Sequence, residues 1–72
     1  MRAKINIDTL SSINAFVAIC SKLNCRVNLI DGEQHCVSAK SLIGAIATMD
    51  WSEVYVECAH DIRSHIEEFL AE

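Results

Sequence analysis

The chain contains no proline and only two glycines among its 72 residues. Because proline, glycine and serine-rich runs mark the flexible linkers between domains, their scarcity leaves no place where the chain would divide. No segment holds the roughly 20 consecutive apolar residues that a membrane-spanning helix requires. The sequence therefore predicts one domain, residues 1–72, that does not cross a membrane.

Basic residues are also few and are not clustered. Six Lys and Arg residues stand singly along a chain whose formal net charge is −4. Proteins that bind the phosphate backbone of nucleic acids need a basic patch or stripe instead. Direct binding to DNA or RNA is therefore not expected.

Four cysteines are present, but the N-terminal residues lack the apolar core and the cleavage site of a secretory signal. We therefore expect a cytoplasmic protein, in which disulfides are rare and a cysteine among apolar residues is a small buried hydrophobe. The residue patterns place Cys20, Cys25 and Cys58 inside the domain and Cys36 outside. Zinc ligands usually come in closely spaced pairs on a turn, so this scattered set, even with His60, predicts no metal site.

The apolar pattern predicts four strands and three helices. Alternating apolar and polar residues mark the strands, and Asp31-Gly32 is typical of a tight hairpin between the second and third of them. The order βαββαβα predicts an α+β open-faced two-layer sandwich, with a four-stranded antiparallel sheet and three helices on one face. Side chains expected to cap the helices are Ser11 or Ser12, Ser41 and Asp61. The helical stripes expected in the core are Ile13, Phe16, Val17 and Cys20; Leu42, Ala45, Ile46 and Met49; and Ile62, Ile66, Phe69 and Leu70.

The second helix carries an apolar residue outside its predicted core stripe. Ile43 lies roughly 100° around the helix from Leu42, so we expect it to face solvent, with Ala47 near it. Single apolar residues are common on protein surfaces. The position beside Ser41 nevertheless favours a site where a partner docks. Spacing alone predicts only a capping role for Ser41.

The segment Ser38-Ala39-Lys40-Ser41-Leu42-Ile43-Gly44 resembles the regulatory-serine segment of HPr, the small phosphocarrier of the bacterial sugar phosphotransferase system. Shorter similarities precede this segment and occur in the same order as in HPr. They occur at Phe16-Val17, at Ser21-Lys22 and at the Asp31-Gly32 hairpin. The order of the predicted elements is also similar to that of HPr. The resemblance implies an HPr-like fold.

The same resemblance implies a regulatory role for the start of the second helix. Ser41 falls on the serine that an HPr-type serine kinase phosphorylates in that family. A transcriptional regulator or a metabolic enzyme would then dock on the neighbouring surface. A phosphate at a helix start would lie where the helix dipole favours an anion. The expected docking residues are Lys40, Ile43 and Ala47.

The resemblance has a gap where HPr carries its phosphorylatable histidine. Thr9 takes the histidine position, and Ser11 takes that of the neighbouring arginine, which binds the phosphoryl group. Neither hydroxyl forms the labile phosphoramidate that phosphate relay requires, so both mark a degenerate former active site. The histidines lie elsewhere in the sequence, and His35, on the inner side of the third strand, is expected to be a hydrogen-bonded core residue.

The sequence thus predicts a non-enzymatic HPr-like regulatory or adaptor protein that needs no cofactor. The alternative is a structural or assembly module of the same fold in which Ser41 is only a cap. A thiol or metal-binding protein comes third, and an enzyme comes last because no pair of nucleophile and base can be assembled. A monomer or a weak homodimer is expected, and Cys36 would be either a reactive thiol or one that pairs two subunits through the exposed face of the sheet.

Overall fold

In the computed structural model, which describes residues 1–32 and 35–71, the four predicted strands form a single antiparallel sheet and are joined by two α-helices. The α+β class is therefore confirmed. The strands are β1 (Arg2–Ile5), β2 (Val27–Ile30), β3 (Cys36–Ser38) and β4 (Val54–Cys58), and the helices are α1 (Leu10–Ser21) and α2 (Leu42–Ala47). The strand order is β1-β4-β2-β3. Within the described ranges, neither helix is long and apolar enough to span a bilayer.

The register of the sheet separates an inner face from an outer one. Ala3 and Leu29 both pair with Val56, and all three are buried. Successive side chains of a strand point to opposite faces, so Tyr55, which pairs with Lys4 and with Ile30, belongs to the outer face. The inner residues form the core together with the apolar stripe of α1, as predicted. The helical layer therefore covers one face of the sheet.

The third predicted helix is absent from the described part of the chain. Residues Arg63–His65 and Glu67–Phe69 form two short 3-10 turns in its place. The reason is that the end of the chain binds the free edge of β1: Leu70 pairs with Ile5, and the Asn6 N–H donates to the Phe69 carbonyl oxygen over 2.8 Å. Backbone groups that bond to a strand cannot also close helical turns.

Most of the expected apolar side chains of this segment are nevertheless in the core. Ile62, Ile66 and Phe69 are buried, and the ring of Phe69 meets that of Phe16 edge-to-face with 5.2 Å between centroids. Leu70, the fourth predicted member, is only half-buried against the core. The spacing thus identified three inner residues correctly while assigning the wrong backbone conformation.

His35 is exposed, so the prediction of a core histidine is wrong. Gly32 has a φ of +121°, which suits glycine in the predicted hairpin turn. The chain enters β3 only after His35, whose Nδ1 lies 2.6 Å from Oδ2 of Asp31. His35 therefore belongs to the turn, where its ring pairs with the carboxylate of Asp31.

Candidate functional site

Ser41 begins α2, as predicted. Its Oγ accepts a hydrogen bond from the Gly44 N–H over 3.2 Å, and the side chain is exposed. Gly44 lies against β3 so closely that a Cβ atom added to it would stand 3.3 Å from Cβ of Val37. The start of α2 is thus held by a side-chain cap and by tight packing on the sheet.

The buried side of α2 differs from the predicted stripe. Ala45 is fully buried and Thr48 nearly so, with the Thr48 hydroxyl donating to the Ala45 carbonyl oxygen over 2.6 Å. Only small side chains fit there because Gly44 brings the helix close to the sheet. The prediction that Leu42, Ile46 and Met49 lie in the core is therefore wrong, since their exposed fractions are 41%, 38% and 49%.

The exposed apolar residues of α2 and of the turn after it form a wide surface. Ile43 is 84% exposed and Ala47 is also exposed, as predicted. We define the α2 apolar surface as Leu42, Ile43, Ile46, Ala47 and Met49. At about 100° per residue, the four of these residues that lie on α2 span an arc of roughly 140° around the helix. Sequence reasoning found two of these residues and missed three, because it assigned them to the core.

Lys40, the third predicted docking residue, is exposed but is bonded within the domain. Its Nζ donates to the carbonyl oxygen of Leu23 over 2.5 Å, and its backbone N–H donates to Oγ of Ser38 over 3.1 Å. The segment just before α2 is therefore attached to the turn that follows α1.

Thr9 and Ser11, which the resemblance predicted to mark a degenerate former active site, lie at the start of α1. Thr9, rather than Ser11 or Ser12, is the N-cap of α1: its Oγ1 accepts from the Ser12 N–H over 3.0 Å, and the Thr9 N–H donates to Oγ of Ser12 over 3.2 Å. This reciprocal pair is a capping box. Ser11 is exposed in the first turn. The hydroxyl of Thr9 is thus used in capping the helix.

A pocket of about 280 Å³ lies between the start of α1 and the end of α2. Asp8, which precedes the cap of α1, and Met49 of the α2 apolar surface both line it, with Trp51 and Glu53 on the loop before β4. The sequence pattern offered no signal for this pocket because its walls come from segments far apart in the chain.

The cysteine side chains point as predicted, but two of them meet. Cys20 and Cys58 are buried, Cys25 is half-buried and Cys36 is exposed, and all four are free thiols. Sγ of Cys25 lies 3.5 Å from Sγ of Cys58. The expectation of scattered thiols is wrong for this pair. In the described part of the chain, no three His, Cys, Asp or Glu residues are grouped so as to hold a metal ion.

Burial and hydrogen bonding raise the pKa of two of these thiols. Burial raises the pKa of Cys20 to about 11. The hydrogen bond with Cys58, followed by burial, raises the pKa of Cys25 above its ordinary value. The ammonium of Lys40 acts in the opposite direction on both pKa values. These thiols are therefore mainly protonated at neutral pH.

Comparison of the chain with protein-family models, with curated proteins and with solved structures found no match.

Proposed function

We propose that this protein is a non-enzymatic, HPr-like regulatory or adaptor domain. It docks a partner protein through the α2 apolar surface, and phosphorylation of Ser41 controls that docking. The observation that carries the proposal is the exposure of large apolar side chains on α2, which begins directly after the exposed Ser41.

The proposal is supported by the cost of leaving these side chains outside the core. Burying a Leu, Ile or Met side chain is worth about 1.5–3 kcal/mol, and a domain of this size has little stability to spare. Ile43 forgoes most of that gain in the free protein, and Leu42, Ile46 and Met49 forgo part of it. An apolar surface on a partner would recover it.

The fold is compatible with an HPr-like arrangement up to the end of β4. The order of strands and helices to that point is the expected one, and the sheet is antiparallel throughout. The 3-10 turns Arg63–His65 and Glu67–Phe69 depart from the expected third helix. The end of this segment pairs with the edge of β1, whereas Gly44 of α2 packs against Val37 of β3, which is at the opposite edge of the sheet.

Phosphorylation of Ser41 would act on docking through charge. A phosphate adds about 1.5 to 2 negative charges at neutral pH, directly before Leu42 and Ile43. Because a charged group must lose water when an apolar partner covers its neighbours, the phosphate would disfavour an apolar partner. It would favour one that adds a basic side chain beside an apolar patch.

The partners implied by the resemblance are an HPr-type serine kinase and a transcriptional regulator or metabolic enzyme. Relay of phosphate from phosphoenolpyruvate is not part of the proposal, because Thr9 and Ser11 replace the two residues that it needs. The proposal involves no cofactor and a cytoplasmic setting.

The test is incubation of the full chain with HPr-type serine kinase and ATP, followed by mass spectrometry. One added phosphate on the tryptic peptide 41–63 is expected, and none on the Ser41→Ala variant. Equal labelling of the variant would contradict the proposal. In a parallel reaction with phosphoenolpyruvate and the general phosphotransferase enzyme, the protein should stay unlabelled, whereas acid-labile phosphate on a histidine would overturn the assignment of the degenerate site.

The alternative is a structural or assembly module, and the capping bond favours it. The hydroxyl of Ser41 already satisfies the Gly44 N–H, so capping alone accounts for a serine at this position. Under this alternative, the kinase leaves the mass of the protein unchanged while the Ser41→Ala variant is still less stable than the natural chain.

A further inference from the structure

Cys25 and Cys58 form a thiol pair that the proposed function does not use. Their sulfur atoms are 3.5 Å apart, so the two side chains point at each other from the turn before β2 and from the last residue of β4. A disulfide needs a further approach of about 1.5 Å, to a bond of roughly 2.05 Å. The geometry is therefore that of a reduced pair with no other atom between the two sulfurs.

The surroundings of the pair allow that approach. Cys58 is held in the sheet, where it pairs with Val27. Cys25 lies two residues before Val27, the first residue of β2, so the strand pairing does not include its backbone. Cys25 is also half-buried, whereas Cys58 is only 5% exposed. A reagent from solvent therefore reaches Cys25 first, and Cys25 is the residue free to move.

We propose that Cys25 and Cys58 are a redox-modification site that forms a reversible intramolecular disulfide by exchange with a small-molecule disulfide of the glutathione class. The Cys25 thiolate attacks one sulfur of oxidised glutathione, forming a mixed disulfide and releasing one glutathione thiolate, which takes up a proton. Cys58 then loses its proton and attacks the Cys25 sulfur, releasing the second glutathione. Two protein thiols and one oxidised glutathione become one protein disulfide and two reduced glutathiones.

The modification would border the proposed docking segment. Cys25 is two residues from Leu23, whose carbonyl oxygen accepts the hydrogen bond from Lys40. The bridge would fix the turn that holds the residue before Ser41. The disulfide does not depend on the proposed function, because it requires only the two facing thiols.

Trypsin separates the four cysteines, so the pairing can be read directly. Cleavage after Lys22, Arg26, Lys40 and Arg63 leaves each cysteine on a different peptide. The full chain is incubated at pH 8 with mixtures of reduced and oxidised glutathione, quenched with acid, alkylated and digested. We expect peptide 23–26 linked to peptide 41–63, with a mass two hydrogen atoms below the sum of the two reduced peptides, and we expect dithiothreitol to remove the link.

Three controls fix the assignment. The exposed Cys36 reports that the oxidant is active, because it should carry a glutathione adduct. Cys25→Ser should abolish the link, whereas Cys20→Ser should keep it, and far-UV circular dichroism should show that both variants are folded. In guanidinium chloride the preference for the 23–26 to 41–63 pair should disappear.

The proposal is overturned if Cys36 is modified while Cys25 and Cys58 are both recovered as alkylated thiols. It is also overturned if Cys25 carries a stable glutathione adduct in the presence of an unmodified Cys58, because the second exchange step would then have failed.

Discussion

The ammonium of Lys40 donates a hydrogen bond to the carbonyl oxygen of Leu23 over 2.5 Å, across 17 positions of sequence. This bond connects the residue before α2 with the turn after α1. It also places a positive charge close enough to Cys20 and Cys25 to oppose in part the rise in the pKa of each thiol. One side chain thus links the proposed docking segment to the proposed redox pair.

Replacing this lysine should slow the chemistry of the thiol pair. In Lys40→Met the charge is lost, so the pKa of the Cys25 thiol should rise further and less thiolate should be present at pH 8. We expect slower alkylation of Cys25 by iodoacetamide, measured on peptide 23–26. Lys4→Met is the matched control because it removes a partly exposed lysine of β1 and leaves peptide 23–26 unchanged, and its rate should equal that of the natural protein. Equal slowing in both variants would contradict a specific role for Lys40.

Removing the cap of α2 should reduce stability. Ser41→Ala leaves the Gly44 N–H without its acceptor, and the free energy of unfolding should fall by about 1 kcal/mol in urea denaturation. Ser41→Asp supplies another good cap and should stay within about 0.5 kcal/mol of the natural protein. A fully stable alanine variant would show that the bond of 3.2 Å contributes nothing.

Replacing one isoleucine by alanine in α1 and one in α2 should distinguish a core residue from a surface residue. Ile43 is 84% exposed and Ile13 is fully buried. Ile43→Ala should change the free energy of unfolding by less than about 0.5 kcal/mol, whereas Ile13→Ala should reduce it by about 2–5 kcal/mol. Thermal and urea unfolding measure both values. A large loss for Ile43→Ala would place this side chain against the core and remove it from the α2 apolar surface.

The buried thiol of Cys20 should make stability fall at alkaline pH. Burial raises its pKa from the ordinary 9.0 to about 11, so the unfolded chain releases this proton at a lower pH than the folded one. The free energy of unfolding should therefore decline as the pH rises from about 9 to about 11.

Cys20→Ala provides the comparison for this decline, because the other titrating groups are the same in both proteins. The variant should be less stable at pH 7, where it has lost a buried side chain, but its stability should decline less steeply above pH 9. Parallel curves for the two proteins would contradict a raised pKa at Cys20.

The amino-acid pattern identified more of the fold than of the site. Period-two alternation located all four strands, which in the structure include β4 at Val54–Cys58. The stripe of α1 and the capping position of Ser41 were also predicted correctly. These features depend on residues that are near each other in sequence, where spacing alone decides which side chains share a face.

The rest depended on contacts between distant segments. The side of α2 that faces the sheet was decided by the close approach of Gly44 to Val37, which admits Ala45 and excludes the larger residues. The C-terminal segment lost its predicted helix because its backbone bonds to β1. Cys25 and Cys58 meet although 33 positions separate them. Local sequence therefore determined the strands, the first helix and the cap of α2, whereas packing between distant segments decided which apolar side chains and thiols became available for function, because only the folded chain brings those surfaces together.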